Sequence, residues 1–204
     1  MTAPGEFSTI VADPPWPFLW HGGVGGRRRN ATRMGYDTMT FADIQHVRLA
    51  GLAGADATLL LWVTQEALHG GWAQRTAKAW GFPARVGELI WQKPNFGTGA
   101  YPRIAHETCV IYRRGKGSLI SDGPRDVPSV QRWRQPYLSG PASGGGGKQH
   151  SGKPDGFYDF VEAGFTGPFL ELFARRARFG WEYAGDGSLG TVVVPGIREA
   201  GEAE

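Results

Sequence analysis

Phe7-Ser8-Thr9-Ile10-Val11-Ala12 runs straight into Asp13-Pro14-Pro15-Trp16, and this passage decides the fold. The first six residues form a short apolar, β-rich run. Two consecutive prolines then end any strand or helix, because the ring removes the N–H donor and locks φ. Asp13 is thereby predicted at the carboxyl end of a strand. Open α/β sheets place their ligands at that end.

Working outward, Trp20 to Met34 holds Gly22, Gly23, Gly25 and Gly26 with Arg27-Arg28-Arg29, and reads as a mobile basic loop. Thr40 is a capping residue for a helix over Phe41–Leu52. Thr58–Val63 (TLLLWV) is continuously apolar, as expected of a strand covered on both faces. Gln65–Trp80 reads as one helix ending at Gly81, and Arg85–Gln92 and Glu107–Tyr112 as strands, with Lys93–Ala105 a loop between them. Gly115–Gly147 reads as flexible, apart from a short strand at Val130–Trp133. A helix over Asp155–Ala163 follows Pro154, then strands at Phe169–Phe173 and Gly180–Ala184. Strands alternating with helices imply a single α/β domain over 1–190 and a flexible tail over 191–204.

Composition is consistent with one such domain: 204 residues, 41% hydrophobic and 20% charged. The formal charge is +3, and three of the carboxylates sit in the tail as Glu199, Glu202 and Glu204. The body is thus mildly basic, which suits a polyanionic partner. Cys109 stands alone inside an apolar run, so no intramolecular disulfide and no cysteine-based zinc site is expected. The histidines lack metal-ligand spacing, so no metal is expected. No apolar run approaches the ~18 residues of a membrane span. The N-terminus lacks a signal-peptide pattern, and the chain reads as a cytoplasmic protein.

Asp13-Pro14-Pro15-Trp16 has the parts needed to activate an exocyclic base amine. Such an amine is a poor nucleophile, because its lone pair is delocalised into the ring. A carboxylate accepting one N–H and a turn carbonyl accepting the other favour positive charge on nitrogen in the transition state. Prolines stiffen the turn and are expected to leave their carbonyls unpaired. A neighbouring aromatic is expected to stack on the base. The plain alternative for the same four residues is a strand end, a proline turn and a core tryptophan.

Four blocks carry a resemblance. They are Val11-Ala12-Asp13-Pro14-Pro15-Trp16 with Gly35-Tyr36-Asp37-Thr38-Met39; Leu61-Trp62-Val63-Thr64; Ile90-Trp91-Gln92-Lys93 with His106-Glu107; and His150-Ser151-Gly152-Lys153-Pro154 with Glu171-Leu172-Phe173-Ala174-Arg175 and Gly180-Trp181. In that order and spacing the chain resembles the adenine-N6 methyltransferases, the family that includes the catalytic subunit of the eukaryotic messenger-RNA adenosine methyltransferase and has bacterial and viral members. The resemblance implies a Rossmann-like methyltransferase fold: a mostly parallel, doubly wound sheet with helices on both faces and a permuted motif order. It implies S-adenosylmethionine as cofactor and nucleic acid as partner, with DNA favoured because the chain is compact and carries no recognisable RNA module.

By position, the resemblance makes Asp13, Pro14, Pro15, Trp16 and Tyr36 the catalytic set. It places Asp13, Ser151, Lys153, Glu171, Phe173 and Arg175 at the cofactor. Glu107 matches a carboxylate lining the site. Arg27, Arg28 and Arg29 read equally as a phosphate clamp or a solubilising loop, and Lys93 stands with them as a nucleic-acid candidate. Where the family often carries Asn-Gln for the cofactor's ribose, this chain has Gly185-Asp186-Gly187, and Asp186 is the expected replacement. Glu171 between apolar neighbours needs a partner, either a ligand or Arg175. Trp62 and Trp91 read as core. Two rival readings are a non-catalytic partner subunit that binds nucleic acid, and a cytosine-N4 methyltransferase. The chain is expected as a monomer or homodimer, with room for a partner subunit.

Overall fold

The computed structural model describes residues 6–17, 38–49, 51–95, 102–123, 125–134, 152–185 and 190–197. Among them a seven-stranded sheet is built from β1 (Phe7–Ala12), β2 (Ala53–Val63), β3 (Ala84–Gln92), β4 (His106–Arg114), β5 (Val130–Gln131), β6 (Phe169–Ala174) and β7 (Trp181–Gly185). Its order is β5-β3-β4-β2-β1-β6-β7. The β1/β2, β1/β6, β3/β5 and β6/β7 pairs are parallel, and β4 runs antiparallel to both β2 and β3. The sheet is thus mixed, with one reversed strand inside a mostly parallel frame. From β1 the chain builds out to one side through β2, then returns to build the other side through β6. β1 therefore borders the switch point, and the last strands lie beside the first.

Side-chain alternation splits the core in two. Leu59, Leu61 and Val63 of β2 join Ile10 and Ala12 in one cluster with Ile44, Ala73 and Ala77. Leu60 and Trp62 join Val11 in the other, with Phe157, Tyr158 and Val161. The first cluster is covered by α1 (Phe41–His46), α2 (Gln65–His69) and α3 (Trp72–Ala79), the second by α4 (Asp155–Gly164). Helices thus lie on both faces, but they are short and few. Truncating a fully buried leucine such as Leu61 or Leu172 costs roughly 2–5 kcal/mol.

Several expectations shift. The single helix over Gln65–Trp80 is two helices, broken where Gly71 adopts φ 71°, a left-handed conformation that an α-helix cannot continue through. The helix from Phe41 stops at His46, because Val47 turns extended (φ −58°, ψ 126°) and Leu49 then enters the core. β2 begins at Ala53 rather than Thr58: its first residues lack an apolar signal, yet Ala53 pairs with Phe7. Within the stretch expected to be flexible, Ser118 hydrogen-bonds Thr9 at 2.7 Å and Leu119 bridges Phe165. Over 190–197, which the sequence reading places mostly in a tail, Val194 is buried and Arg48 N donates to Pro195 O at 3.1 Å.

No helix crosses from β6 to β7. Residues 175–180 make the connection as a strap laid along α4. Arg176 pairs with Asp155 at 2.5 Å, and Arg178 pairs with Asp159 at 2.9 Å and Glu162 at 2.8 Å. The three acids stand at i, i+4 and i+7, one face of the helix. Trp181 closes the strap by donating from its indole to Glu162 at 2.7 Å.

Candidate active site at the carboxyl ends of the strands

Strand direction gathers the charged residues at one edge. Asp13 follows β1 and Lys93 follows β3. Because β4 is reversed, Glu107 at its start lies at that same edge, opposite Trp91. Lys153 stands just before α4, next to Pro154, the residue that precedes the first helical turn. Residues far apart in sequence thus meet above β1, where the sheet's order reverses.

Lys153 is the hub. Its side chain is 6% exposed, and Nζ donates to Asp13 Oδ2 at 2.7 Å and lies 3.1 Å from Glu107 Oε2. Lys93 pairs with the other oxygen, Glu107 Oε1. The Lys153 ammonium also sits 5.0 Å from the centre of the Trp62 ring, a cation–π contact. Burial by itself would pull Lys153 down, but Asp13 and Glu107 hold it above the ordinary lysine value. Burial pushes Glu107 up, and Lys153 and Lys93 outweigh it, holding that carboxyl below its ordinary value. Lys153 and Glu107 therefore both stay ionised at neutral pH although they are largely removed from water.

The tetrapeptide departs from expectation in two ways. Both proline carbonyls are used: Pro14 O accepts from Trp16 N at 2.8 Å, and Pro15 O accepts from Met39 N at 2.9 Å. A carbonyl has two lone pairs, so Pro14 O retains capacity for one further donor. Trp16 is no open stacking platform. It is 6% exposed, belongs to the core, and donates from its indole to Trp62 O at 2.8 Å. Its role here is to tie the turn to the end of β2, and the plain core reading of this tryptophan is the one the structure shows. Trp62 and Trp91 are core as expected.

A cleft beside Asp13 is lined by Lys153, Tyr158, Glu171, Phe173, Arg175 and Arg176. Glu171 is 7% exposed, and a residue the sequence did not single out is its partner here: Tyr158 donates its hydroxyl to Glu171 Oε1 at 2.6 Å. Burial pushes the Glu171 carboxyl up to about 7 against the opposing hydrogen bond from Tyr158, with Asp13 adding to the rise. Burial and the Glu171 charge push the Tyr158 phenol up, so it remains a donor. The sequence signal for Tyr158 was only its place in an amphipathic helix, which also marks core residues. Phe173 holds φ 60° where the β6/β7 register shifts between Leu172 and Ala174. A left-handed phenylalanine costs on the order of 1–3 kcal/mol, and this one lines the cleft. Cys109 is fully buried and burial pushes its thiol up, so it is no nucleophile.

Of the remaining sequence candidates, Arg27, Arg28, Arg29, Tyr36, Ser151 and Asp186 lie outside the described residues. Among the described residues no group of three or more His, Cys, Asp or Glu could hold a metal ion, and no helix is long and apolar enough to cross a membrane.

A mostly parallel sheet with its charged cleft at the switch point defines the class: an α/β domain whose cleft opens at the carboxyl ends of its strands. Comparison with known proteins narrows this. The chain matches the MT-A70 family over residues 7–187, and it belongs to that family. It is 31% identical over 180 residues to the N(6)-adenosine-methyltransferase catalytic subunit METTL3 of Homo sapiens, covering 84% of this chain and 26% of that protein. It is 28% identical over 184 residues to the N(6)-adenosine-methyltransferase MT-A70-like protein of Drosophila melanogaster, covering 86% of this chain and 25% of that protein. A probable N(6)-adenosine-methyltransferase MT-A70-like protein of Oryza sativa subsp. japonica is 27% identical over 203 residues, covering 93% and 24%. The chain thus spans about a quarter of the length of these relatives.

Proposed function

We propose that this chain, as a single methyltransferase domain over 1–190, transfers a methyl group from S-adenosylmethionine to the exocyclic N6 amine of adenine in a nucleic acid. The observation that carries this is the buried Lys153 ammonium, 2.7 Å from the Asp13 carboxylate, in a cleft shared with Glu171. The cofactor supplies an electrophilic methyl on a sulfonium sulfur. The cleft fits its polar groups: Lys153 suits its carboxylate, while Asp13 and Glu171 suit its ammonium and hydroxyl groups.

Asp13 accepts one N–H of the target amine, and Pro14 O accepts the other. Both acceptors gain strength as positive charge grows on nitrogen. The amine lone pair forms the new N–C bond as the C–S bond breaks, and the surplus proton leaves nitrogen afterwards, so no strong general base is required. The base leaves its stack to reach Asp13. The intact Asp13–Lys153 pair favours a catalytic chain over a non-catalytic partner subunit. The DNA preference expected from the sequence remains part of the proposal. The relatives' names speak of adenosine, so the test covers both sugars. Purified protein is incubated with S-adenosylmethionine and either DNA or RNA oligonucleotides, and the nucleosides are analysed by mass. N6-methylated adenine is expected, more in DNA; methyl on cytosine N4, or none at all, contradicts the reading.

A further inference from the structure

The segment after β5 has no part in the chemistry above, yet it is built to present charge. β5 runs parallel to β3, with Ile90 opposite Val130 and Trp91 opposite Gln131. Residues 132–134 therefore continue past the level of Gln92, toward the edge that holds Glu107 and Asp13. Trp133 turns inward. Its ring packs on Phe157 at 5.8 Å and near Phe160 at 6.1 Å, and its carbonyl accepts the Trp91 indole N–H at 3.0 Å. A Cβ at Gly156 would overlap that ring, so the first turn of α4 leaves room for Trp133 only because residue 156 is glycine. With Trp133 locked inward, Arg132 and Arg134 on either side are exposed.

Among the described residues no carboxylate neutralises their charge. At this edge Lys93, Lys153 and Arg176 each pair with a carboxylate. Arg132 donates from Nε to the neutral amide of Gln92 at 2.9 Å. Among the described residues neither Arg132 nor Arg134 has a carboxylate partner. Two exposed guanidiniums on a braced segment suit phosphate oxygens, which they bind bidentately.

We infer that Arg132 and Arg134 form a docking ledge for the phosphodiester backbone of the nucleic acid whose adenine reaches Asp13. This rests on the function proposed above. β5 is four strand spacings from β1 in the sheet order, on the order of 19 Å at ~4.8 Å per strand. In a fully stacked strand, with ~3.4 Å of rise per nucleotide, that corresponds to roughly five or six nucleotides, and to fewer where the strand is extended. The ledge thus contacts backbone several nucleotides from the target, on the β5 flank, away from the β6 flank that carries Glu171 and Phe173.

The test compares the full chain with the double variant Arg132→Ala/Arg134→Ala. Binding of a fluorescein-labelled twelve-nucleotide single strand with one central adenine, as DNA and as RNA, is measured from low to moderate salt. Loss of two phosphate contacts lowers the slope of log affinity against log salt by about 1.4. KM for the oligonucleotide rises while kcat and the affinity for S-adenosylhomocysteine hold, and Arg132→Lys/Arg134→Lys restores most of the slope. A three-nucleotide strand, too short to reach the ledge, shows no difference between wild type and variant. An unchanged slope, or a loss of cofactor affinity matching the loss of oligonucleotide affinity, overturns the ledge. If wild type methylates adenine but the variant's KM does not move, the ledge fails and the enzymatic reading stands. If the slope falls as expected but no methyl is transferred, the enzymatic reading fails and the ledge stands.

Discussion

Two ion-pair networks flank α4, one built on lysines and the other on arginines, and they differ in burial. One joins Lys153 to Asp13 and Glu107, with Lys93 behind, and its central lysine is buried. The other joins Arg176 and Arg178 to Asp155, Asp159 and Glu162, whose carboxylates are open to water. Exposed pairs contribute little, because solvent screens the attraction and long side chains lose freedom. Buried pairs cost desolvation, and apolar packing would often be as stable. A fold that needed only stability would gain little from Lys153. Its burial between two carboxylates fits a site that keeps charge ready for a ligand, while the outer ladder merely holds the β6–β7 strap in place.

That contrast can be broken at several points. Lys153→Met strips the Asp13 carboxylate of its ion-pair partner in a largely dry cleft and leaves Glu107 held by Lys93 alone. It is expected to cost about 3–5 kcal/mol in urea unfolding; a loss below about 1 kcal/mol would put the two networks on the same footing. Glu171 gives a subtler handle. Its carboxyl is raised from 4.5 to about 7 by burial, so the folded chain keeps a proton that the unfolded chain releases. The stabilisation is complete below pH about 4.5 and is lost as pH rises through about 7, on the order of 3 kcal/mol across that window. Glu171→Gln should flatten that part of the urea stability profile; an unchanged profile would show that Glu171 is not the proton's site. Smallest is Arg178→Ala, expected to cost about 1 kcal/mol or less in the same unfolding measurement, with methyl transfer unaffected. A large drop in turnover there would give the strap a part in the chemistry.

What could be read from sequence follows from range. β1 was legible because an apolar run meets two prolines, a purely local signal, and Asp13 came with it. Lys153 was legible only through the resemblance, since a lysine before a proline is usually a solvated helix start. The partner of Glu171 was not legible. It depends on how α4 sits on β6, and the hydroxyl of Tyr158 reaches the carboxylate only once that packing exists. Trp16 misled for a related reason: an aromatic after two prolines looks like a stacking surface, but its direction is set by the Trp62 carbonyl on a neighbouring strand. The split of the long helix did have a local signal in Gly70-Gly71, a pair that disfavours a helix interior, but the apolar spacing on either side masked it. Arg132 and Arg134 gave no pattern of their own; their side of the segment is decided by where Trp133 packs.

The central claim is that the Asp13 carboxylate holds the target amine. Asp13→Ala tests it most directly, because Lys153 keeps Glu107 as a partner when the Asp13 carboxylate is removed. Single-turnover methyl transfer to an adenine-containing oligonucleotide is measured beside the melting temperature and S-adenosylhomocysteine binding. The account predicts a loss of at least about 10²–10³-fold in rate, with a folded chain that still binds the cofactor product. A variant that folds, binds and methylates within a few-fold of wild type would contradict it.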